Sequence, residues 1–184
     1  TQRYEGLIKN NCKCFLGPNH AMLRPQFTEQ REQIINLVKS GDIQRILVFF
    51  GGSDPTNETM KAIQALQMPE FSEIVVDVVV GQSNPHRLEI QYFCELNSQF
   101  NYYCQINHMA QLMLQADLSI GAGGTATWER CYMGLPSVVI IIAENQVEQI
   151  EALENQAAIV NLGWFNKVTK QDIIESIQTL NAGS

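Results

Sequence analysis

The stretch Asp117-Leu-Ser-Ile-Gly-Ala-Gly-Gly-Thr-Ala-Thr-Trp-Glu129 decides how this chain is read. A short apolar strand ends, a glycine cluster turns the chain, and a helix starts near Thr125 and runs to Met133, where Gly134 and Pro136 stop it. Glycines without Cβ let a phosphate approach the backbone. A helix start offers free N–H groups and a partial positive charge. Thr125 adds a hydroxyl, and Glu129, just over one turn in, could accept two hydrogen bonds from a ribose diol. A tight turn with a surface Glu is the other reading that glycine content alone leaves open. The spacing is not that of a dinucleotide fingerprint with its acid ~20 residues on. Nor is it a Walker A loop, because no Lys follows the glycines.

Outward from this stretch, two periodicities alternate. Continuous apolar runs at Arg45–Phe50, Glu73–Val80, Asn101–Gln105, Asp117–Ile120, Ser137–Ile142 and Ala158–Asn161 predict strands. Helical patterns fall between and after them, at Glu58–Gln67, Pro85–Asn97, Met109–Gln115, Thr125–Met133, Asn145–Gln156 and Thr169–Leu180. Thr169 with Asp172 predicts a capping-box-like start, with Asp in place of the usual Glu. Apolar strands alternating with helices imply an α/β fold, a Rossmann-like parallel sheet with helices on both faces. The first forty residues differ: Phe15 to Phe27 is turn-rich, and Thr28 to Lys39 predicts a helix with Ile34, Ile35 and Val38 apolar. Residues 1–40 therefore read as linker and lead-in helix, and residues 41–184 as the domain.

In such sheets ligands bind beyond the carboxyl ends of the strands. That edge holds Gly51-Gly-Ser53 after the first strand, where a second phosphate or a sugar could face the loop. Asp54 and Asn57 read as ordinary turn and N-cap residues as readily as ligand contacts. Asn145 and Gln146 follow the most apolar strand with amides able to meet sugar hydroxyls, although Asn145 also suits helix capping. His108 follows a strand end, and His20 and His86 lie in turn or helix-start positions. For all three a structural or surface role is expected. Trp128 and Trp164 are expected to pack rather than stack on a base.

Composition bounds the rest. The chain has 184 residues, 45% hydrophobic and 17% charged, which excludes disorder as the main state. Twelve basic residues against 19 acidic give −7, with the basic residues scattered, so no nucleic-acid partner is expected. No apolar run is long enough for a membrane span. Five cysteines, an odd number without CxxC, predict reduced thiols and a cytoplasmic location. Neither a metal site nor a cofactor is predicted, since the histidines show no ligand spacing with Cys12 and Cys14.

The run Gln105 to Val139, which contains the glycine turn, resembles the C-terminal half of GT-B-fold enzymes that bind UDP-sugars. Within that superfamily the chain is most similar to the UDP-sugar hydrolases of pseudaminic acid biosynthesis and to the related spore-coat polysaccharide biosynthesis proteins. Leu16-Gly-Pro, Leu23-Arg-Pro-Gln-Phe27 and Gly51-Gly-Ser-Asp-Pro55 carry that finer likeness. The resemblance covers roughly Leu16 to Gly163. It implies one half of a GT-B architecture with a UDP-sugar as substrate. Uracil would pair with backbone at Ile106, and the diphosphate would lie at Gly123, Gly124 and Thr125. Glu129 would hold the ribose, Gly51, Gly52 and Ser53 would face diphosphate and sugar, and Asn145 and Gln146 would read the sugar.

The resemblance also implies a catalytic His on a Gly-rich loop in an N-terminal half that this chain lacks. No catalytic residue is therefore expected within it. The chain begins at Thr1 without Met, which is expected of a piece of something longer. Three functions follow: the UDP-binding half of a nucleotide-sugar hydrolase, the same half of a UDP-sugar glycosyltransferase, or a non-catalytic nucleotide-sugar-binding module. The missing N-terminal domain is the expected partner. The cleft face left bare without it is one through which a homodimer could form.

Overall fold

The computed structural model describes residues 6–9, 11–15, 17–34 and 41–182. Its elements are α1 (Pro25–Ile34), β1 (Arg45–Phe49), α2 (Glu58–Leu66), β2 (Val75–Val80), α3 (Arg87–Glu95), β3 (Phe100–Cys104), α4 (Met109–Gln115), β4 (Leu118–Ala122), α5 (Ala126–Tyr132), β5 (Ser137–Ile141), α6 (Val147–Glu154), β6 (Val160–Trp164) and α7 (Lys170–Ala182). Every strand pairing is parallel, and the order is β3-β2-β1-β4-β5-β6.

The strands read as continuous apolar runs because helices cover both faces. Ile46, Val48 and Phe50 join Val78, Ile120 and Ile140 on one face, under Ile63 of α2, Ile90 of α3 and Ile173 of α7. Leu47 and Val79 face the other way and pack with Phe27 of α1 and Met113 of α4. Further along that face, Val139 and Ile141 pack with Ile150 of α6, and Trp128 and Trp164 join this group as packing residues. One polar device crosses the core: buried Asp77 accepts hydrogen bonds from Arg45 at 2.6 and 3.1 Å and from Asn101 at 3.0 Å, tying β1, β2 and β3 together.

Several boundaries move for local reasons. The lead-in helix starts at Pro25 rather than Thr28, since a first-turn Pro lacks only an N–H that would have no helical partner. Its expected continuation to Lys39, with Ile35 and Val38, lies outside the described residues, as does Leu16 of the Leu-Gly-Pro motif. The last strand is Val160–Trp164 rather than Ala158–Asn161. Ala157 and Ala158 donate to Glu154 O and Leu153 O at 2.8 and 3.0 Å, so they close the end of α6 instead. Asn145 lies in a 3-10 turn, Glu144–Gln146, and α6 starts only at Val147. Gly121 and Ala122 pair with Val139 and Ile140, so β4 runs through the first two residues of the glycine cluster. Thr169 and Asp172 form the expected capping box, with Thr169 N–H donating to Asp172 Oδ2 at 2.7 Å and Asp172 N–H to Thr169 Oγ1 at 3.3 Å.

Candidate functional site

The chain winds outward from β1 to β3 in one direction and from β4 to β6 in the other. The strand order therefore reverses between β1 and β4, where open α/β sheets form their ligand crevice. Phe49 pairs with Gly121 across this seam, which brings the Gly51–Ser53 loop level with the Gly123–Thr125 turn.

The β1 loop is held from both sides. Gly51 has a φ of 95°, a conformation open to glycine. Ser83 Oγ donates to Gly52 O at 3.0 Å. A Cβ on Gly81, at the end of β2, would lie 2.2 Å from Gly52 O, so these two backbones need a glycine between them. Asp54 caps α2, its carboxylate accepting the N–H groups of Glu58 at 3.0 Å and Thr59 at 2.9 Å. Asn57 makes no side-chain cap bond and instead takes the left-handed conformation at φ 59°. Gly52 and Ser53 are exposed.

The β4 turn divides its glycines by task. A Cβ on Gly121 would meet Phe49 O at 2.2 Å and Arg130 Nη1 at 2.5 Å, and one on Gly123 would meet Ile150 Cγ1 at 2.6 Å. Both are glycine because protein packs against them. At Gly124 the nearest atom to a Cβ is Gln146 Nε2 at 3.8 Å, so the open approach lies there and at exposed Thr125.

Glu129 has a side chain only 12% exposed, and Arg24 of the lead-in donates to its Oε1 at 3.0 and 3.2 Å. Burial raises the Glu129 pKa above the ordinary carboxylate value, and Arg24 offsets part of that rise. Gln146 is buried and accepts Ile142 N–H at 3.0 Å, so its amide oxygen serves the loop after β5. Asn145 is exposed and its side chain does not cap a helix. Ile106 follows β3, which β2 separates from β1. It is half-buried and packs in the same group as Leu23 and Phe27, on the side that carries Arg24.

The structure thus gathers Gly51, Gly52, Ser53, Gly123, Gly124, Thr125 and Gln146 at the seam, with Glu129 behind the turn and Ile106 to one side. Two arginines escaped the sequence reading, Arg24 and the buried Arg130. The partner of Arg24, Glu129, lies 105 positions away and leaves no signal in spacing, whereas the partners of Arg130, Ala122 and Thr127, are near in sequence and only its complete burial was hidden. The histidines are peripheral: His108 meets the Tyr103 ring, His20 the Phe15 ring, and His86 starts α3. A cavity of about 310 Å³ opens at the opposite, amino edge of the strands, beside Asp42, Ile43 and Asp117. Its acids make it a poor host for phosphate, so the glycine edge is the better candidate. Among the described residues, no group of three His, Cys, Asp or Glu could hold a metal ion, and no helix is long and apolar enough to cross a membrane.

The model of the glycosyltransferase family 28 C-terminal domain matches residues 46–183. The chain belongs to that family. Its similarity to the spore coat polysaccharide biosynthesis protein SpsG of Bacillus subtilis (strain 168) is 31% identity over 168 residues, 91% of this chain and 49% of that protein. The chain thus spans about half the length of this curated relative. Among solved structures, MurG of Acinetobacter baumannii superposes with a TM-score of 0.60 at 19% identity, over 84% of this chain and 44% of that one. The C-terminal CMP-Kdo binding domain of WaaA from the same organism superposes with a TM-score of 0.60 at 12% identity, over 86% and 91%. These structural likenesses show the fold alone, a Rossmann-like parallel sheet with helices on both faces.

Proposed function

We propose that the seam is the nucleotide grip of a UDP-sugar enzyme. Residues 41–184 would be its C-terminal nucleotide-sugar-binding domain and residues 1–40 its lead-in. The observation that carries this reading is the meeting of two glycine turns at the point of strand reversal in a family 28 C-terminal domain. In this reading Gly124 and Thr125 receive the diphosphate, and Gly123 lets the turn lie close on α6. Gly51, Gly52 and Ser53 face the diphosphate and sugar, Glu129 takes the ribose diol, and backbone at Ile106 meets the uracil. Asn145 reaches the sugar directly, while Gln146 shapes the loop that presents it.

The reaction proposed for the whole enzyme is hydrolysis, in surface-polysaccharide or nonulosonic acid biosynthesis. Water attacks the anomeric carbon, the bond from that carbon to the diphosphate oxygen breaks, and UDP leaves with the electron pair. The proton of water passes to a base outside this chain. Backbone N–H groups at the glycine turn stabilise the charge on the departing UDP. Leu23-Arg-Pro-Gln-Phe27 and Gly51-Gly-Ser-Asp-Pro55 support hydrolysis. The family description favours a second reading, transfer of the sugar to a hydroxyl or amine. Full-length protein given UDP-sugar without acceptor separates them: acceptor-independent release of UDP and free sugar identifies a hydrolase.

The binding reading is tested on the chain itself. UDP is expected to raise its melting temperature, and Glu129→Ala to abolish most of that rise. No shift at millimolar UDP sinks the site assignment.

A further inference from the structure

Arg130 lies directly beneath the glycine turn and is 1% exposed. Its Nη2 donates to Ala122 O at 2.7 Å and to Thr127 Oγ1 at 2.8 Å. Its Nε and Nη1 are buried without a hydrogen-bond partner among the described residues. Nη1 fills the space that a side chain on Gly121 would need. Among the described residues no carboxylate is hydrogen-bonded to the guanidinium; the preceding residue, Glu129, acts on it only through space and is held by Arg24.

An arginine in such a place is costly. Burying a charge without a bonded counter-charge is penalised, and an apolar side chain of similar volume would fill the space without that penalty. The location gives the charge a use. In a water-poor surrounding a charge acts at longer range and is less screened by salt than one at the surface. The atoms that Arg130 touches, Ala122 O and the Gly121 site, are where β4 passes into the turn at the crevice.

We propose that Arg130 is a positioning residue that anchors the end of β4 and charges the crevice from beneath, so that the site selects nucleotides by their phosphates. It does not touch the ligand. It holds the carbonyl at which the turn starts, and its charge, which Glu129 meets only through space, is matched further when a diphosphate arrives. Burial lowers its pKa to about 10, which leaves it charged at neutral pH. This inference rests on the UDP-binding reading and adds the source of the phosphate preference.

The test measures affinities of UDP and uridine for the 184-residue chain and for Arg130→Gln, Arg130→Met and Arg130→Lys, with melting curves as a check on folding. A residue that only packs would lower both affinities together. The expected result is that the neutral variants lose about tenfold or more in UDP affinity while uridine affinity changes little, and that Arg130→Lys keeps most of the preference. Equal losses for UDP and uridine overturn the proposal. Should neither neutral variant fold, Arg130→Lys decides: a kept preference supports it, a lost preference overturns it. Failure of the unaltered chain to bind UDP overturns the functional reading, and this inference with it.

Discussion

Glu129 is under two opposed demands. In the proposed ribose-binding role it must be a desolvated carboxylate, and burial disfavours that charge more than Arg24 restores it. A carboxyl whose folded pKa lies above its unfolded value stabilises the fold fully below the unfolded value. That stability is lost as pH rises through the folded value. Glu129→Gln removes this titration. Without ligand, the melting temperature of the variant relative to the unaltered chain is therefore expected to rise as pH climbs from the ordinary Glu value of about 4.3 through the raised folded value. A difference that moves the other way would mean that the Arg24 pair outweighs burial. The glutamate itself was readable from its place one turn past the glycines. Its partner was not, because Arg24 lies 105 positions away and only the packed lead-in brings it near.

At the scale of elements, the loops at the seam are held by two features with separate costs. Asp54 satisfies two N–H groups at the start of α2. Asp54→Ala is expected to cost about 0.5–2 kcal/mol, the range for a lost N-cap, measurable by urea titration. Gly81 is held by contact, since a methyl group there meets Gly52 backbone. Gly81→Ala is expected to cost about 1–3 kcal/mol as overpacking and to weaken UDP binding by displacing the Gly51–Ser53 loop. Unchanged affinity in a folded Gly81→Ala protein would remove that loop from the site. Strand and helix order was legible because both-face burial writes continuous apolar runs such as Ile46-Leu-Val48. The ends were less so. Ala157 and Ala158 look strand-like in composition, yet their N–H groups close a helix. Gly121 and Gly123 looked alike, and only packing shows that one faces Arg130 and the other Ile150.

For the whole molecule, the sequence implied a parallel sheet but not the order of its strands. That order is a matter of long-range pairing, and it is what makes β1 and β4 neighbours. With the proposed base lying outside it, this chain is expected to bind UDP yet release none from a UDP-sugar. Turnover by these 184 residues would place the base within them. The seam also has a kinetic meaning. Residues joined across it, such as Arg45 and Asp117, lie 72 positions apart. Closing so long a loop is unfavourable until contacts across it form, and topologies dominated by distant pairings fold slowly. The three strands on either side can collapse on nearer contacts first. The crevice is thus expected to form late in folding, after β1–β3 and β4–β6 have paired within themselves, and pulsed hydrogen exchange that protects the β1 and β4 amides at the seam as early as those of β2 and β5 would contradict this.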